Sequence, residues 1–192
     1  MKSSLGNMVL SLGVITVVAA AALAGVYTAT EQPIAEAKAA KQKAAIGDVL
    51  PDIQFNNNPA EEAAEITVDG ETVTVFPARQ DGELVGMAVE SHDTNGFSGL
   101  ITVMYGFNPA GDITGYAVMQ HAETPGLGSK MGEWFSNPAH TIIGLNPATS
   151  NLTVSNDGGD VDAITAATIS SRAFLRALDL ANKASQQFAA RQ

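Results

Sequence analysis

The chain contains no cysteine among its 192 residues. Disulfides, thiolate nucleophiles, zinc–thiolate sites and iron–sulfur clusters all need cysteine, so the sequence excludes each of them on this chain. Any redox chemistry of the protein must therefore come from an organic cofactor or from a partner chain.

Basic residues are also scarce, with 10 Lys and Arg against 20 Asp and Glu and a net charge of −10. A nucleic-acid partner needs clustered Lys and Arg, so this balance argues against one. The acidity is concentrated between Asp48 and Asp93, where 11 Asp or Glu accompany one basic residue, Arg79. A run of this kind is typical of a solvated acidic face.

Charge is absent from Ser3 to Thr30, and Met8 to Tyr27 is almost continuously apolar. Twenty helical residues rise about 30 Å, the thickness of a bilayer's hydrocarbon core. The run therefore predicts a transmembrane helix at 8–28 after a short tail at 1–7. A cleaved signal peptide is the alternative, because Ala22-Leu23-Ala24 is similar to a cleavage site, but the length of the apolar run favours an anchor.

The lysines that flank the apolar run do not fix its orientation, because they lie on both sides: Lys2, Lys38, Lys41 and Lys43. Residues 29–59 are predicted as a stalk and linker. The Ala-, Lys- and Glu-rich stretch from Glu31 to Ile46 favours a helix, which Gly47 and Pro51 should break. The folded domain is expected at 60–192.

The first part of this domain has a strand pattern. Ile66–Val68 and Thr72–Val75 alternate apolar and polar residues on either side of Asp69-Gly70, a strong hairpin signal. Further strands are predicted at Leu84–Val89, Leu100–Phe107 and Ile113–Met119, with a short candidate at Leu152–Ser155.

The end of the chain has a helical pattern. Apolar and small residues recur there with helical spacing and should form one buried face, made of Phe174, Ala177, Leu178, Ala181, Ser185 and Phe188. The predicted fold class is α+β: an N-terminal transmembrane helix, then a domain of mostly antiparallel strands closed by a C-terminal helix.

The segment from Asp162 to Ser171 precedes this helix and allows two interpretations. In the first, Thr165 or Thr168 simply caps the helix, as threonine commonly does. In the second, the helix N-terminus binds an anion, because its free N–H groups and positive dipole end attract a phosphate. The residues alone favour the cap.

The loop from His121 to Gly128 is the second unusual stretch. Its Pro125, Gly126 and Gly128 predict a rigid loop that can lie against a flat ligand. His121 and Glu123 are too few to predict a metal site. The remaining histidines, His92 and His140, are expected to be surface or locally bonded residues.

Together these segments resemble the G subunit of the Rnf-type electron transport complex and, more distantly, the C subunit of the sodium-pumping NADH:quinone reductase. The resemblance covers nearly the whole chain. Its motifs are the segment from Asn95 to Gly99, the loop His-x-Glu-Thr-Pro-Gly-Leu-Gly at 121–128, and a flavinylation motif, Asp-x-x-Thr-Ala-Ala-Thr, at 162–168. The loop and the flavinylation motif, about forty residues apart, are highly specific as a pair.

The resemblance implies that Thr168 carries FMN through a covalent phosphoester bond, formed by a flavin transferase that reads Asp162. Many relatives have glycine where this chain has Ala166. The other expected cofactor-binding residues lie in the loop and the motif: Glu123, Thr124, Gly126, Leu127, Gly128, Thr165, Ala166 and Ala167. The resemblance implies no metal and no catalytic side chain, so the flavin would be the redox centre of this chain.

The implied function is electron transfer within an ion-translocating ferredoxin:NAD⁺ oxidoreductase complex, to which this chain would belong as an electron-carrying component. The expected partners are the other membrane subunits, the flavin transferase and the lipid bilayer. The resemblance also implies a single-pass protein of the inner membrane, with the FMN domain on the periplasmic side. Two alternatives remain: a stand-alone membrane-anchored flavoprotein with an extracytoplasmic acceptor, and a non-redox binding or stalk module.

Overall fold

The computed structural model describes residues 4–192 and divides the chain into two units at Lys41. The first unit carries most of helix α1, which spans Leu5–Val49 and is long and apolar enough to cross a membrane. Three threonine hydroxyls in this helix donate to carbonyl oxygens one turn earlier, at 2.7–2.8 Å: Thr16, Thr28 and Thr30. A threonine paired in this way exposes no unsatisfied hydroxyl to lipid.

The predicted tail, anchor and stalk differ from the observed helix at both ends. Residues 1–3 of the predicted tail lie outside the described residues, and α1 already begins at Leu5. Gly47 does not break the helix, because its neighbours Ile46 and Val49 are buried in the second unit and hold the last turn in place. The second unit accordingly begins at Gln42, earlier than the predicted boundary at residue 60.

The second unit contains a five-stranded sheet. Its strands are β1 (Ala64–Val68), β2 (Glu71–Gln80), β3 (Glu83–Gly96), β4 (Gly99–Phe107) and β5 (Ile113–Gln120). Each strand pairs antiparallel with the next, so the order in the sheet is the order in the chain. The prediction of an antiparallel α+β domain is confirmed.

Tight turns join the first three strands. Asp69 and Gly70 have φ values of 54° and 88°, which is the conformation that an Asp-Gly hairpin turn requires. Asp81 and Gly82 repeat it between β2 and β3, with φ values of 52° and 88°. The first turn was predicted from the alternating residues on either side of it. The second turn was not predicted, and it joins β2 and β3, which are both longer than the predicted strands.

The sheet is covered on both faces within the second unit. Alternate residues of β2 and β4, such as Val75, Val103 and Tyr105, are buried on the face that packs against the C-terminal helix. The residues between them, such as Phe76 and Met104, pack against residues 45–50 at the end of α1. The period of two along each strand places these two sets on opposite faces.

Two helices follow the sheet: α2 (Met131–Trp134) and α3 (Thr168–Ala189). The six residues predicted to form the buried face of the last helix are all buried in α3. The predicted strand at Leu152–Ser155 is wrong, because Val154 makes only an isolated bridge to Val161 before a single 3-10 turn. The loop bonds to itself there, with the Ser155 N–H donating to the Val161 carbonyl at 2.8 Å, and so it does not join the sheet.

Candidate functional site

The start of α3 is an uncapped helix end. Its N-cap position is Ala167, with φ −138° and ψ 42°, and no side chain in the described part of the chain caps the first turn. The interpretation of Thr165 or Thr168 as the cap is therefore wrong. Ser171 connects the helix to the preceding loop. Its hydroxyl accepts a hydrogen bond from the Ile164 N–H at 2.9 Å and donates one to the Ala167 carbonyl at 3.1 Å. The preceding loop is thus fixed to the helix from inside the fold.

This arrangement leaves donors free at the helix N-terminus. Among residues 4–192, none accepts a hydrogen bond from the backbone N–H groups of Thr168, Ile169 and Ser170. No side-chain hydrogen bond of the described residues involves the Thr168 hydroxyl either. Free N–H groups at the positive end of a helix dipole are the donors that a phosphate group requires.

Thr168 lines a cleft of about 330 Å³, which we call the apolar cleft. Its wall combines the start of α3, the 121–128 loop and the tip of the β3–β4 hairpin. The lining residues are Phe97, Glu123, Thr124, Leu127, Gly128, Ala166, Ala167, Thr168, Ile169 and Ser170. Large apolar side chains stand exposed at its rim: Phe97 is 67% exposed, Ile169 47% and Leu127 40%.

Glu123 holds the three walls of the apolar cleft together. Its side chain is only 4% exposed. One carboxylate oxygen accepts the backbone N–H of Ser98 at 2.9 Å, and the other accepts the hydroxyl of Ser170 in a short hydrogen bond. The loop, the hairpin tip and α3 therefore converge on one buried carboxylate, and burial without such partners would be costly.

Glycines make room for this carboxylate. A Cβ at Gly128 would lie 2.5 Å from both Glu123 Oε2 and Ser170 Oγ, closer than real Cβ contacts allow. A Cβ at Gly96 would lie 2.8 Å from Glu123 Oε1. Gly128 is thus needed for close packing, whereas Gly126 is needed for its backbone, which has φ +76° and turns the loop.

The hairpin tip is also tied to α3 by an ion pair. Arg176 binds both carboxylate oxygens of Asp93, at 2.7 and 3.0 Å, and donates to the Asn95 carbonyl at 3.3 Å. Burial opposes ionisation of Asp93, but hydrogen bonds from Arg176 and Asn95 and the Arg176 charge outweigh it and lower the pKa of Asp93. The tip that carries Phe97 is therefore held from two directions, by Arg176 and by Glu123.

A second cleft, of about 480 Å³, also borders the motif and shares Ala166 and Thr168 with the first; we call it the polar cleft. Its lining residues are Trp134, His140, Ser155, Asn156, Asp162, Ala163, Ile164, Thr165, Ala166 and Thr168. The Trp134 and His140 rings stack with centroids 4.3 Å apart and planes 3° apart. Trp134 Nε1 donates to the Asp162 carbonyl at 3.0 Å, and His140 Nδ1 pairs with the Asp162 carboxylate at 3.2 Å.

A third hollow, of about 460 Å³, lies between the 147–157 loop and α3 and contains none of the predicted site residues. Its two arginines are already paired. Arg172 binds both oxygens of Asp157 at 2.7 Å, which lowers the pKa of that carboxyl, and Arg176 binds Asp93. The hollow therefore offers an anionic ligand no free positive side chain.

The structure brings most of the predicted site residues together. Seven of them line the apolar cleft: Glu123, Thr124, Leu127, Gly128, Ala166, Ala167 and Thr168. Thr165 lines the polar cleft instead, and Gly126 lines neither. Ala166 has φ +61°, a left-handed conformation that favours glycine and explains why glycine suits this position of the motif.

Sequence reasoning missed several residues of the two clefts. Phe97 belongs to a segment quoted only as part of a motif, and an aromatic residue between Asn95-Gly96 and Ser98-Gly99 was the available signal. Trp134 carried no signal of a site, and His140 was correctly expected to be locally bonded, but its partner Asp162 lies 22 residues away. Among the described residues no group of three potential ligands could hold a metal ion.

Two family models match the chain: an FMN-binding domain over residues 96–183 and an RnfG N-terminal region over residues 1–49. The first match contains both clefts, and the second contains all of α1.

The chain is also similar to curated proteins that are named as the G subunit of an ion-translocating oxidoreductase complex. The protein from Haemophilus influenzae (strain PittEE) is 34% identical, with 84% of this chain and 81% of the relative covered. The one from Methanosarcina acetivorans is 34% identical, with coverage of 90% and 89%. The one from Escherichia coli (strain K12) is 35% identical, with coverage of 81% and 78%.

Proposed function

The chain belongs to the family of G subunits of ion-translocating oxidoreductase complexes, and we propose that it carries electrons within such a complex through an FMN esterified to Thr168. The observation that carries this proposal is the position of Thr168. Among residues 4–192 its hydroxyl has no hydrogen-bond partner, and the residue lies at the start of α3 beside the apolar cleft. FMN, when bound, accepts and donates electrons singly or in pairs.

The helix end is suited to the phosphate of such an ester. An esterified phosphate keeps negative charge, and the N–H groups of Thr168, Ile169 and Ser170 have no acceptor among the described residues. No lysine or arginine of residues 4–192 lines the apolar cleft, so backbone dipoles would supply the stabilisation. A cap formed by the Thr168 hydroxyl would compete with esterification, and the described part of the chain has none.

The apolar cleft is suited to the ring system. Phe97, Leu127 and Ile169 present exposed apolar surface at its rim, which is costly to leave in water and favourable to cover with a flat aromatic group. Glu123 is a buried part of the cleft lining, and its two oxygens already accept hydrogen bonds from Ser98 and Ser170. We therefore assign Glu123 to positioning of the cleft and the rim residues to contact with the ring.

The placement in the cell follows from the anchor and the family. Helix α1 is the one helix of residues 4–192 that is long and apolar enough to cross a bilayer, which supports a single-pass membrane protein. We place the FMN domain on the periplasmic side of the inner membrane, as the family resemblance implies. A covalent bond would there prevent loss of a small cofactor by diffusion. Electrons would pass to and from the other membrane subunits of the complex.

The test is a pair of threonine variants expressed as full chains together with the flavin transferase. We expect Thr168→Ala to abolish flavin fluorescence of the denatured protein on a gel. Thr149→Ala is the matched control, because Thr149 is an exposed threonine of the same domain that lines neither cleft. It should keep the fluorescence. A fluorescent Thr168→Ala band would contradict the assignment.

A further inference from the structure

We propose that Trp134 and His140 form a clamp that positions the flavinylation motif, so that the transferase can reach Thr168 from the polar cleft. This inference rests on the proposed attachment of FMN to Thr168. It adds to that proposal two positioning residues outside the motif and the cleft from which the transferase approaches Thr168. The clamp is defined as the stacked pair Trp134 and His140 together with their two bonds to Asp162.

The clamp holds Asp162 at two separate atoms. Trp134 binds its backbone carbonyl oxygen at 3.0 Å, and His140 binds its carboxylate at 3.2 Å. The stack between the two rings, 4.3 Å apart and nearly parallel, fixes each donor relative to the other. A residue held only at its side chain could still rotate its backbone. Asp162 is restrained at its backbone carbonyl and at its carboxylate.

The other end of the motif is restrained by Ser171 of α3. Ser171 binds the Ile164 N–H and the Ala167 carbonyl, at 2.9 and 3.1 Å. Between these restraints the chain passes through Ala166, whose φ of +61° is unfavourable for alanine. The clamp therefore completes a frame that keeps residues 162–168 in one conformation, with Thr168 at its end.

The position of Asp162 also suits recognition by an enzyme. Its side chain is 60% exposed although it is hydrogen-bonded, so a second protein can contact the carboxylate that His140 orients. Thr165 and Ala166 line the same cleft, and Thr168 borders both clefts. An enzyme that binds the polar cleft thus meets the motif's carboxylate and its terminal threonine on one surface, while the apolar cleft stays open for the ring.

The transfer step balances with FAD as the donor. The Thr168 hydroxyl oxygen forms a bond to the phosphorus of the FMN half of FAD, and the bond from that phosphorus to the bridging oxygen breaks. AMP leaves with the electron pair, and the hydroxyl proton passes to a base of the transferase. The clamp takes no part in bond making, so His140 and Trp134 are positioning residues.

The experiment measures the initial rate of flavin incorporation into the purified full chain in detergent, with purified transferase and FAD. We expect His140→Ala to lower the rate about five- to tenfold, the size expected when one ordinary, partly exposed hydrogen bond is lost. Trp134→Phe keeps the aromatic ring but loses the N–H, and should lower the rate about threefold to fivefold. His140→Asn should recover much of the rate, because its amide N–H can replace Nδ1.

A matched control comes from the other histidine–carboxylate pair. His92 binds Glu71 at 3.1 Å, and both side chains are exposed to nearly the same degree as His140 and Asp162. His92→Ala removes a similar hydrogen bond without disturbing the Trp134–His140 stack, and it should leave the incorporation rate unchanged. A thermal unfolding midpoint recorded for each variant separates a loss of positioning from a loss of folded acceptor.

A double-mutant cycle makes the role of Asp162 explicit. If the clamp acts through Asp162, His140→Ala should have no further effect on the rate in an Asp162→Ala chain. Additive effects, or wild-type rates for both clamp variants, would overturn the inference. If the wild-type chain incorporates no flavin at Thr168, the proposed function itself fails, which is a different outcome from normal labelling of the clamp variants.

Discussion

The two clefts that meet at Thr168 differ in their chemistry. The apolar cleft has a buried carboxylate behind it and exposed Phe97, Leu127 and Ile169 at its rim. The polar cleft is lined by the clamp, by Asp162 and by small polar residues. The difference indicates that the two clefts bind different partners of Thr168. The apolar cleft suits a permanently bound flat aromatic ring, and the polar cleft suits an enzyme that binds transiently.

The strongest test of the apolar side is Gly128→Ala. The added methyl group would lie 2.5 Å from Glu123 and Ser170, and overpacking of this kind costs about 1–3 kcal/mol of folding free energy. Thermal unfolding in detergent measures the loss. Gly132→Ala is the control, because a Cβ there meets no atom within 4 Å and should leave stability unchanged or slightly higher. Equal stability of the two variants would contradict the proposed role of Glu123 in supporting the cleft.

Phe97→Ala should expose the ring that the apolar cleft is proposed to hold. Loss of the phenyl contact would cost roughly 1 kcal/mol, which raises the population of an uncovered flavin about fivefold. Quenching of flavin fluorescence by iodide measures this, with the covalent label itself retained. Leu100→Ala is the control, since Leu100 is exposed on the adjacent strand but does not line the cleft. Unchanged quenching in Phe97→Ala would place the ring elsewhere.

Ala166 lines both clefts, and a glycine at this position should relieve the strain of its left-handed backbone conformation. With φ +61°, alanine has a conformational cost that glycine avoids, so Ala166→Gly should raise the free energy of unfolding by about 0.5–1 kcal/mol. Ala167→Gly should have the opposite sign, because Ala167 has a negative φ and is buried. Chemical denaturation of the two variants compares them directly. Destabilisation by both would contradict the assignment of strain to Ala166.

The smallest expected effect is the pH dependence of the hairpin tip. The pKa of Asp93 is lowered in the folded chain, so the Asp93–Arg176 pair stabilises the fold above the unfolded pKa of about 3.9 and loses this contribution as the pH falls through the folded value. The free energy of unfolding between pH 7 and pH 3 should fall less steeply in Asp93→Asn, by about 1 kcal/mol or less.

Much of the fold follows from local patterns in the sequence. Alternation along the strands, the Asp69-Gly70 turn and the helical spacing from Phe174 to Phe188 predicted the sheet and its closing helix. These patterns are local, since each is set by burial of one face of one element. The end of α1 was not predictable in this way, because Ile46 and Val49 stay helical through packing against strands that are distant in the sequence.

In the candidate site, too, the features set by local sequence could be predicted and those set by tertiary contacts could not. Residues of the two motifs could be named in advance because each motif is contiguous. The role of Glu123 could not, because its carboxylate is defined by Ser98 and Ser170, which come from two other segments. The clamp was hidden for the same reason, since it joins α2 and the following turn to Asp162 through tertiary contacts alone.

The most direct test of the central claim is to locate the flavin by tandem mass spectrometry. Trypsin should release residues 131–172 as one peptide, because no lysine or arginine lies between Lys130 and Arg172. That peptide contains both Thr165 and Thr168, and its fragment ions distinguish them. We predict an FMN phosphoester on Thr168. FMN on Thr165, or a flavin that is lost from the chain on denaturation, would contradict the account.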